Sequence, residues 1–593
     1  MNMTFSRNFL RILLFLVVPA LLFLKCKTDT TTTAKDTATL NIRLESPATS
    51  INPLIPASGY SNYLAARVFQ TLGEIEPKSL EIVPLLAKSV PAVRTVADGP
   101  QKGYLAYDFE INEAATWDNG SPITANDVIF TLKLIHHPGI PAQVFRNYFI
   151  YLCDIVPDTA NPKKFTAFYS NYYMLSLESM CQIPIYPAWH YDLNNLLGNI
   201  PLKDLLDAKK VKTLENNPQL AAFATAFMEP KYSTDKNFIS GSGAYRLESM
   251  NGDQGAVLVR KEQWWGDKVT DNPLLVAYPK KMVYKVVRDE AAIENMLRNG
   301  ELDIVTNLSA ANYQRLREDA DLKAAGFEFP VNPGPNFSKW VFNTRNPKLS
   351  DARVRRALAH LVDYDYLIKN IQQGMAQRIL APISPQKNFY AKDIPLRDFN
   401  VGKAIALLNE AGWKDTDQDG IVDKVLNGKK TPLTIDVLAG TNTKTAELVV
   451  GSIRETAKQA GVAINIVPAD LEKIRADTKS GNFESANLAA AIFPGLVELH
   501  QSYHSASLAP AGDNRSRFSN PRADSLFTAI RTTSDETTRN ALYIKAQQLL
   551  SDEVPEIFLY SPSQRYIVNN KFEYALTFSR PGYYDFMFKA RKK

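Results

Sequence analysis

The stretch WDNGSPITANDVIFTLKLI, residues 117–135, combines a tight turn with a capped amphipathic helix. Residues 118–120, Asp-Asn-Gly, are the types that tolerate the positive φ of a tight turn. Thr124 and Asp127 have the spacing of a capping box, which supplies acceptors to the first N–H groups of a helix. Apolar residues then recur at helical spacing, namely Val128, Ile129, Leu132 and Ile135. The stretch therefore predicts a strand, turn and helix corner whose role is architectural.

The composition is that of a large globular protein. At 593 residues the chain exceeds what one hydrophobic core usually supports, so we expect two or three domains. The formal net charge is +6, of which Arg7, Arg11 and Lys25 supply three. Without a long basic stripe this charge is too small for nucleic-acid binding. The body has two cysteines, Cys153 and Cys181, which could pair in an oxidising compartment but do not form a disulfide framework.

The N-terminal segment, residues 1–26, has the pattern of an export signal. Two arginines precede the apolar run 12–24, whose thirteen residues are few for a bilayer span. Cys26 follows where cleavage is expected and resembles the lipidation site of a bacterial lipoprotein, although Lys25 stands where a small residue is usual. An uncleaved anchor, or cleavage elsewhere, is the alternative, and either way the body lies outside the cytoplasm. The threonine-rich residues 27–38 are expected to form a tether.

Two segments have a strand–helix–strand pattern. In residues 282–305 Asp289 is the predicted N-cap of the helix and Gly300 its end. In residues 433–466 the helix is predicted to face inward with Leu448, Val449, Ile453 and Ala457. Each segment predicts a pair of parallel strands joined by a right-handed crossover. Because the two segments are about 150 residues apart, we expect two α/β lobes with a ligand cleft between them.

Six segments together resemble one protein family. Besides residues 117–135 they are GSGAYRLESM (241–250), VLVRKEQWWG (257–266), FNTRNPKLSDARVRRALAHLVDYDYL (342–367), VGKAIALLNEAGW (401–413) and VPEIFLYSP (554–562). In this order they are similar to motifs of the family 5 extracellular solute-binding proteins, the oligopeptide-, dipeptide- and nickel-binding components of ABC importers. The resemblance covers the chain from about residue 40 to its end.

The resemblance implies an α/β periplasmic-binding-protein fold of type II, with two hinged lobes and an inserted α/β domain. Lobe I would comprise residues 39–72, 236–330 and 558–593, the inserted domain residues 73–235, and lobe III residues 331–557. It also implies capture of a short peptide or a similar small polar solute by interlobe closure, and delivery to an ABC transporter permease. Such a protein is expected to be a monomer without a cofactor or catalytic activity, held in the periplasm or cell envelope by its lipid anchor.

The resemblance also implies where a ligand would bind. Peptide binders of the family anchor the ligand's ammonium group with an aspartate, but this chain has Ala490 and Ala491 about where that aspartate is expected. Standard capture of a peptide N-terminus is therefore in question, and either Glu498 substitutes or the cleft takes another polar solute. The other candidate ligand-binding residues are Tyr60, Ser61, Asn62, Trp340, Asn343, Phe493, His500 and Tyr503. For the aromatic and amide side chains among them, a place in the core is the alternative.

Two further patterns allow metal binding. His500 and His504, four residues apart, form with Glu498 a candidate metal site, so an extracytoplasmic metal-dependent hydrolase is the alternative function. The HExxH pattern is absent, because glutamine follows the first histidine. Residues 415–424, DTDQDGIVDK, resemble a calcium loop at positions 1, 3, 5, 6 and 9, but Leu426 stands where the bidentate glutamate of position 12 belongs. A structural turn is therefore the favoured interpretation.

Overall fold

The computed structural model describes residues 38–592, except 56–57, 77–78, 442–443 and 510–511. The predicted export signal, its Cys26 and nearly all of the tether lie outside the described residues. Within the described part, Cys153 and Cys181 are free thiols rather than a disulfide. No helix in the described part is both long and apolar enough to cross a membrane.

Strands and helices alternate through the described chain. The strands are β1 (Thr39–Leu44), β2 (Gly73–Ile75), β3 (Ile82–Pro84), β4 (Val93–Thr95), β5 (Leu105–Glu110), β6 (Leu152–Pro157), β7 (Lys164–Tyr169), β8 (Tyr245–Asn251), β9 (Gly255–Arg260), β10 (Lys281–Val286), β11 (Ile304–Thr306), β12 (Phe327–Glu328), β13 (Val331–Asn332), β14 (Asn336–Phe342), β15 (Ala376–Gln377), β16 (Asp423–Leu426), β17 (Lys429–Pro432), β18 (Thr434–Gly440), β19 (Ala463–Ala469), β20 (Ser485–Ala491), β21 (Glu556–Pro562), β22 (Gln564–Asn569), β23 (Phe572–Glu573) and β24 (Lys589–Ala590). The helices are α1 (Gly59–Val68), α2 (Ala125–His136), α3 (Gln143–Arg146), α4 (Ser176–Gln182), α5 (Ala188–Tyr191), α6 (Leu202–Leu206), α7 (Ala208–Leu214), α8 (Pro218–Phe227), α9 (Lys231–Thr234), α10 (Glu290–Arg298), α11 (Ala310–Glu318), α12 (Ala320–Ala324), α13 (Ala352–His360), α14 (Tyr364–Tyr366), α15 (Val401–Glu410), α16 (Lys444–Lys458), α17 (Leu471–Ser480), α18 (Leu499–Tyr503), α19 (Pro521–Thr532) and α20 (Glu536–Glu553).

Three larger sheets organise these elements. The first has the strand order β12-β22-β11-β1-β10-β9-β8, with β13 also paired to β22. The second has the order β15-β21-β14-β20-β18-β19, and the third the order β4-β5-β7-β6. β1 is parallel to both β10 and β11, and β18 is parallel to both β19 and β20. Parallel pairing brings the carboxyl ends of these strands to one edge of each sheet.

Of the two predicted strand–helix–strand units, only the second has its two strands directly paired. The second is confirmed as β18, α16 and β19, with β18 and β19 directly paired in parallel. In the first, β10 and β11 do not pair, because β1 lies between them. The predicted N-cap is correct, since Asp289 accepts the Ala291 N–H at 2.9 Å. Leu448, predicted to face inward in the second unit, is 48% exposed, and Val450 is buried instead.

The chain crosses between the first and second sheets twice. One crossing lies between β13 and β14, and the other between β21 and β22. At Gly334, in the first crossing, an added Cβ would lie 2.0 Å from the carbonyl oxygen of Pro562. The Ser561 hydroxyl, just before the second crossing, donates to the carbonyl of Asn336 at 2.8 Å. The two crossings are therefore in direct backbone contact.

The turn and the cap of residues 117–135 form as the sequence predicts, whereas the helix is buried on more than the predicted face, with Phe130 and Leu134 buried and Ile129 only half-buried. The N–H of Thr124 donates to Asp127 Oδ2 at 2.8 Å, and the reciprocal half of the capping box is also present. Gly120 has a φ of +82°, as the tight turn requires. The Lys261 ammonium lies 2.5 Å from Asp118 and also donates to the carbonyl of Gly241 at 2.7 Å. The corner is therefore tied to the segments 241–250 and 257–266.

The glycines of segment 241–250 permit a close backbone contact. An added Cβ at Gly241 would lie 2.2 Å from the carbonyl oxygen of Val68, at the end of α1. The indole N–H groups of Trp264 and Trp265 both donate to the carbonyl of Ser242, at 2.9 and 3.0 Å. Three of the segments that carry the family resemblance therefore meet in one packing site.

This packing site yields a prediction for Gly241→Ala. Because the carbonyl of Val68 is fixed by its helix, the added methyl group forces a backbone shift, and we expect the free energy of unfolding to fall by about 1–3 kcal/mol. A urea titration followed by circular dichroism measures the loss. Gly59→Ala is the matched control, since nothing lies within 4 Å of its Cβ position. Equal stability of the two variants would contradict the close contact.

Candidate functional site

The carboxyl ends of parallel strands lie side by side at one edge of the first sheet. β1 ends at Leu44, opposite Val286 at the end of β10, and β11 runs parallel to β1 on its other side. Ligands of open α/β sheets bind in the crevice outside this edge. Glu45 and Ser46, the two residues that follow β1, are exposed. The edge therefore offers a carboxylate and a hydroxyl to a ligand.

Tyr60 and Asn307 complete a polar cluster with Glu45. The Tyr60 hydroxyl donates to Glu45 Oε2 at 3.0 Å. Burial and the neighbouring Glu45 carboxylate raise the pKa of Tyr60, so the phenol stays protonated and remains a donor. Asn307, directly after β11, lies beside the same hydroxyl and has a φ of +59°. Positive φ is uncommon for a residue other than glycine, and strained residues of this kind cluster at functional sites.

Ser61 and Asn62, the other candidates on α1, have different surroundings. Ser61 is 2% exposed, and its Oγ accepts the N–H groups of Thr49 and Ser50 at 2.9 and 3.3 Å. It therefore fixes the loop between β1 and α1, and a ligand has no access to it in this conformation. Asn62 is exposed and stays a predicted ligand contact.

The corresponding edge of the second sheet lies next to the first crossing. Ala491, at the end of β20, is the register partner of Asn336, and the Ile492 N–H donates to the carbonyl of Pro335 at 2.8 Å. Phe493 follows and is 60% exposed. Ligand pockets are commonly lined by aromatic side chains, so Phe493 stays a predicted ligand contact.

No carboxylate stands at the end of β20 where the resemblance implies one. Ala490 and Ala491 offer only methyl groups there. Arg580, from the segment between β23 and β24, instead donates to the Asn336 side-chain oxygen. The charge beside Asn336, at this end of β20, is therefore positive. A positive charge repels an ammonium group and attracts a carboxylate.

Glu498 does not replace the missing carboxylate in this conformation. Its side chain is 7% exposed, and Oε2 lies 3.1 Å from the Arg531 guanidinium. The same oxygen accepts the Tyr173 hydroxyl at 2.8 Å, and Oε1 accepts the N–H of His500 at 3.1 Å. The carboxylate is therefore committed to internal partners.

An apolar cluster surrounds this carboxylate and joins two parts of the chain. Tyr173 follows β7 of the third sheet, whereas Glu498 and Arg531 lie between β20 and β21 of the second sheet. The buried members of the cluster are Tyr173, Met174 and Leu175 on one side and, on the other, Ile383, Phe389, Val497, Leu499, Tyr503, Phe518, Ala523, Phe527, Ile530, Tyr543, Ala546, Leu549 and Leu550. The residues after the third sheet thus pack on the body of the second.

The proposed metal site of the hydrolase alternative does not form. α18 ends before His504, and the rings of His500 and His504 stack with centroids 3.9 Å apart. Arg531 Nη1 lies 3.4 Å from His500 Nδ1, and burial together with this guanidinium lowers the pKa of His500 to about 4. Among the described residues, Glu498, His500 and His504 do not form a group whose three ligand atoms all lie within 4.8 Å of one another. The geometry therefore favours a packed, neutral imidazole beside a cation.

Trp340 and Tyr503 lie in the core of the second sheet's body. Trp340 is 1% exposed and Tyr503 is 2% exposed. The Tyr503 hydroxyl donates to Glu556 Oε1. Both side chains therefore lie in the core, which was the alternative to contact with a ligand.

Asn343 lies at the end of β14 that is farthest from the crossings. It is 8% exposed, and its Nδ2 donates to the carbonyl of Phe483 at 3.0 Å. An open pocket of about 560 Å³ is found at this end, lined by residues that include Asn343, Arg345, Asp436, Glu484 and Arg517. This pocket is remote from the paired sheet edges, so Asn343 does not line the cleft.

The acidic loop 415–424 forms a structural turn. Asp415, Asp417 and Asp419 bring carboxylate oxygens within 4.8 Å of one another. The Asp415 carboxylate accepts two backbone N–H groups of the loop, at 2.7 and 3.0 Å. The Lys430 ammonium lies 2.7 Å from Asp417 and 3.3 Å from Asp423. Backbone donors and a lysine thus contact these carboxylates, and a structural turn stays the favoured interpretation.

Comparison with known proteins identifies a family and relatives of low sequence identity. Residues 81–495 match the family described as bacterial extracellular solute-binding proteins, family 5 middle. The oligopeptide-binding protein AppA of Bacillus subtilis is 23% identical over 473 residues, which cover 78% of this chain and 76% of AppA. An uncharacterized lipoprotein of Mycobacterium tuberculosis is 22% identical over 485 residues, which cover 79% of this chain and 78% of that protein.

Solved structures share the fold at low sequence identity. The structure of AppA in complex with a nonapeptide has a TM-score of 0.70 at 20% identity, covering 93% of this chain and 99% of AppA. NikA from Brucella suis, in complex with Fe(III)-EDTA, has a TM-score of 0.72 at 17% identity, covering 93% of this chain and 100% of NikA. These similarities confirm the predicted α/β periplasmic-binding fold of type II.

Proposed function

Since the chain belongs to the bacterial extracellular solute-binding proteins of family 5, we propose that it is the ligand-capturing component of an ABC importer. The match over residues 81–495 carries this proposal, because it covers most of the described body. The proposed ligand is a short peptide or a similar small polar solute, since AppA is an oligopeptide-binding protein. A metal chelate is the second candidate, because NikA was solved with Fe(III)-EDTA.

The two crossings are the proposed hinge of this protein. Lobe I then comprises residues 39–72, 236–330 and the chain after the second crossing, with residues 73–235 as the inserted domain. We extend lobe III from residue 557 to residue 562, because β21 lies entirely in the second sheet. A ligand that contacts both lobes favours the closed state to the extent that it binds that state more tightly.

The contacts around Glu498 support a closed state. Tyr173 from the inserted domain and Arg531 from lobe III meet on this carboxylate. Opening the lobes would expose the surrounding apolar cluster, so the closed form gains both hydrophobic and charge-assisted contacts. We infer that closure couples ligand capture to a shape that the permease recognises.

Calorimetry with defined peptide pools tests the proposed ligand. The purified protein is titrated with pools of peptides of two to five residues, and with sugars and metal chelates for comparison. Saturable binding of a peptide pool supports the proposal. If sugars or chelates bind and no peptide pool does, the peptide assignment is wrong.

Cys26 is the proposed attachment site of a lipid anchor. The similarity to a lipoprotein of Mycobacterium tuberculosis supports this assignment. Cys26→Ser is expected to move the protein from the membrane fraction to the soluble fraction of expressing cells, because one acyl-bearing residue is lost. Cys153→Ser is the matched control and should stay in the membrane fraction. A Cys26→Ser protein that keeps its full mass and remains in the membrane would instead indicate an uncleaved anchor.

The protein is proposed to act as a monomer, without catalysis and without a cofactor. Arg531 beside His500 argues against a metal-dependent hydrolase, since a guanidinium disfavours a divalent cation at the same place. Elemental analysis of the purified protein tests it. Stoichiometric metal that is lost in His504→Ala would restore the hydrolase alternative.

A further inference from the structure

The cleft requires a source of charge other than the end of β20. This inference rests on the proposed function, a peptide-like solute held between two lobes. A charged ligand group that is removed from water needs a partner of opposite charge. Ala490 and Ala491 supply none, and Glu498 is committed to Arg531 and Tyr173.

Glu45 is an exposed carboxylate at the ligand-binding edge of lobe I. It directly follows β1, whose parallel neighbours β10 and β11 end at the same edge. The Tyr60 hydroxyl, 3.0 Å from Oε2, restrains the carboxylate and leaves the other oxygen available to a ligand. Asn307 adds an amide beside the same hydroxyl. The arrangement suits a cationic group with several N–H donors.

Arg580 supplies the opposite charge near the hinge. Its guanidinium is exposed and donates to Asn336, the register partner of Ala491. A guanidinium has five N–H donors, so one bond to Asn336 leaves donors for a carboxylate. Bidentate pairing with a carboxylate is the contact that this side chain makes best.

The loop that carries Arg580 is fixed on both sides of the hinge. Phe578 is buried in a cluster with Phe337 and Ile492 of lobe III. On the lobe I side, Gln564 donates to the carbonyl of Pro581 at 2.5 Å. The guanidinium therefore starts from a preorganised backbone, which lowers the entropic cost of binding.

Two tyrosines connect the charged groups along one wall. The rings of Tyr60 and Tyr63 meet edge to face, with centroids 5.6 Å apart and an interplanar angle of 84°. Tyr60 bonds Glu45, and the Arg580 guanidinium opposes the rise that burial causes in the pKa of Tyr63. Glu45 and the two rings thus form a contiguous wall, and the positive charge of Arg580 lies on the Tyr63 side of it.

We propose that lobe I supplies both charged contacts to a zwitterionic solute such as a short peptide with free ends. Glu45 binds the ammonium group, Arg580 binds the carboxylate, and the Tyr60–Tyr63 pair lies against the backbone between them. The carboxylate that anchors the ligand is then on lobe I and not at the end of β20. Lobe III contributes Phe493 as an apolar contact.

End-blocked peptides test this assignment on the full chain. The probe is the pool of di- to pentapeptides in three forms: free ends, N-acetylated and C-amidated. The wild-type protein is expected to bind either blocked form at least about tenfold more weakly than the free form, as expected for the loss of one charge-assisted contact. Glu45→Gln should bind the free pool about tenfold more weakly and the N-acetylated pool as the wild type does. Arg580→Gln should likewise bind the free pool about tenfold more weakly and the C-amidated pool as the wild type does.

Matched controls separate a local effect from a change in net charge. Glu262→Gln and Arg522→Gln remove the same charges at exposed positions away from the cleft edges, and both should bind as the wild type does. If Glu45→Gln and Arg580→Gln also bind the free pool with unchanged affinity, the charge assignment is overturned while peptide capture stands. If the wild type binds no pool in any form, the peptide assignment and the inference fail together.

Discussion

Replacing Lys339 by methionine is expected to lower the free energy of unfolding by about 3 kcal/mol. The Lys339 ammonium lies 2.6 Å from Glu556 Oε2, and the Glu556 side chain is only 2% exposed. Methionine keeps the unbranched shape and most of the length of the side chain but leaves a buried carboxylate without its counter-charge. The Tyr503 hydroxyl alone does not neutralise it. A urea titration of the variant and the wild type measures the difference.

Two further variants establish the cause of that loss. Lys369→Met removes the same charge from a side chain that is 72% exposed, and we expect a change within about 0.5 kcal/mol. The double variant Lys339→Met/Glu556→Gln removes both charges and should recover much of the stability, because no unpaired ion remains buried. A single Lys339→Met variant as stable as Lys369→Met would show that the pair does not support the second sheet.

Asp585→Asn is expected to lower the free energy of unfolding by about 3 kcal/mol. Arg67 Nε of α1 lies 2.5 Å from Asp585 Oδ1, with side chains 10% and 2% exposed. The Tyr284 hydroxyl of β10 donates to the other carboxylate oxygen at 2.6 Å. Asparagine preserves the shape of the side chain but leaves the buried guanidinium unpaired. The melting temperature and a urea titration report the loss.

Asp253→Asn is the matched control for that variant. Asp253 also pairs with an arginine, Arg288, but its side chain is 77% exposed, and solvent screens exposed pairs so that they contribute little. The control should therefore melt within a degree or two of the wild type. If both variants lose stability equally, the C-terminal segment does not clamp α1 to β10 as the contacts indicate.

Local chemistry made the corner at residues 117–135 predictable. The turn and the cap each depend on residues within one short stretch, and the structure has both. The predicted apolar face is only partly correct, because Ile129 is half-buried whereas Phe130 and Leu134 are buried. The unit from β18 to β19 was predictable for the same reason. Its one error was Leu448, whose exposure depends on which helix face meets the sheet, and the apolar residues around the helix left that choice open.

The predicted direct pairing of the two strands in residues 282–305 was wrong, because a strand distant in sequence lies between them. β10 and β11 have the pattern of a direct parallel pair, but β1 lies between them. The sequence around β10 carries no signal for a strand that comes from the beginning of the body. Sheet order depends on packing across the whole domain, whereas periodicity reports only on each element.

The residues of the candidate site were predictable only in part. Tyr60, Asn62 and Phe493 lie near the paired edges, whereas Trp340 and Tyr503 are core residues. Glu45, which we propose as a ligand contact, was not predicted because a lone glutamate after a strand forms no motif. Its position directly after the alternating strand TLNIRL was the available signal, since ligands collect where such strands end. His500 and His504 looked like helical neighbours, but α18 ends between them.

The central claim is that two lobes close on a captured solute. Small-angle X-ray scattering of the Cys26→Ser chain, with and without the peptide pool that binds in calorimetry, tests it most directly. We expect the radius of gyration of the protein to be smaller with the bound pool than without it. Scattering profiles that coincide for every solute that binds would contradict it.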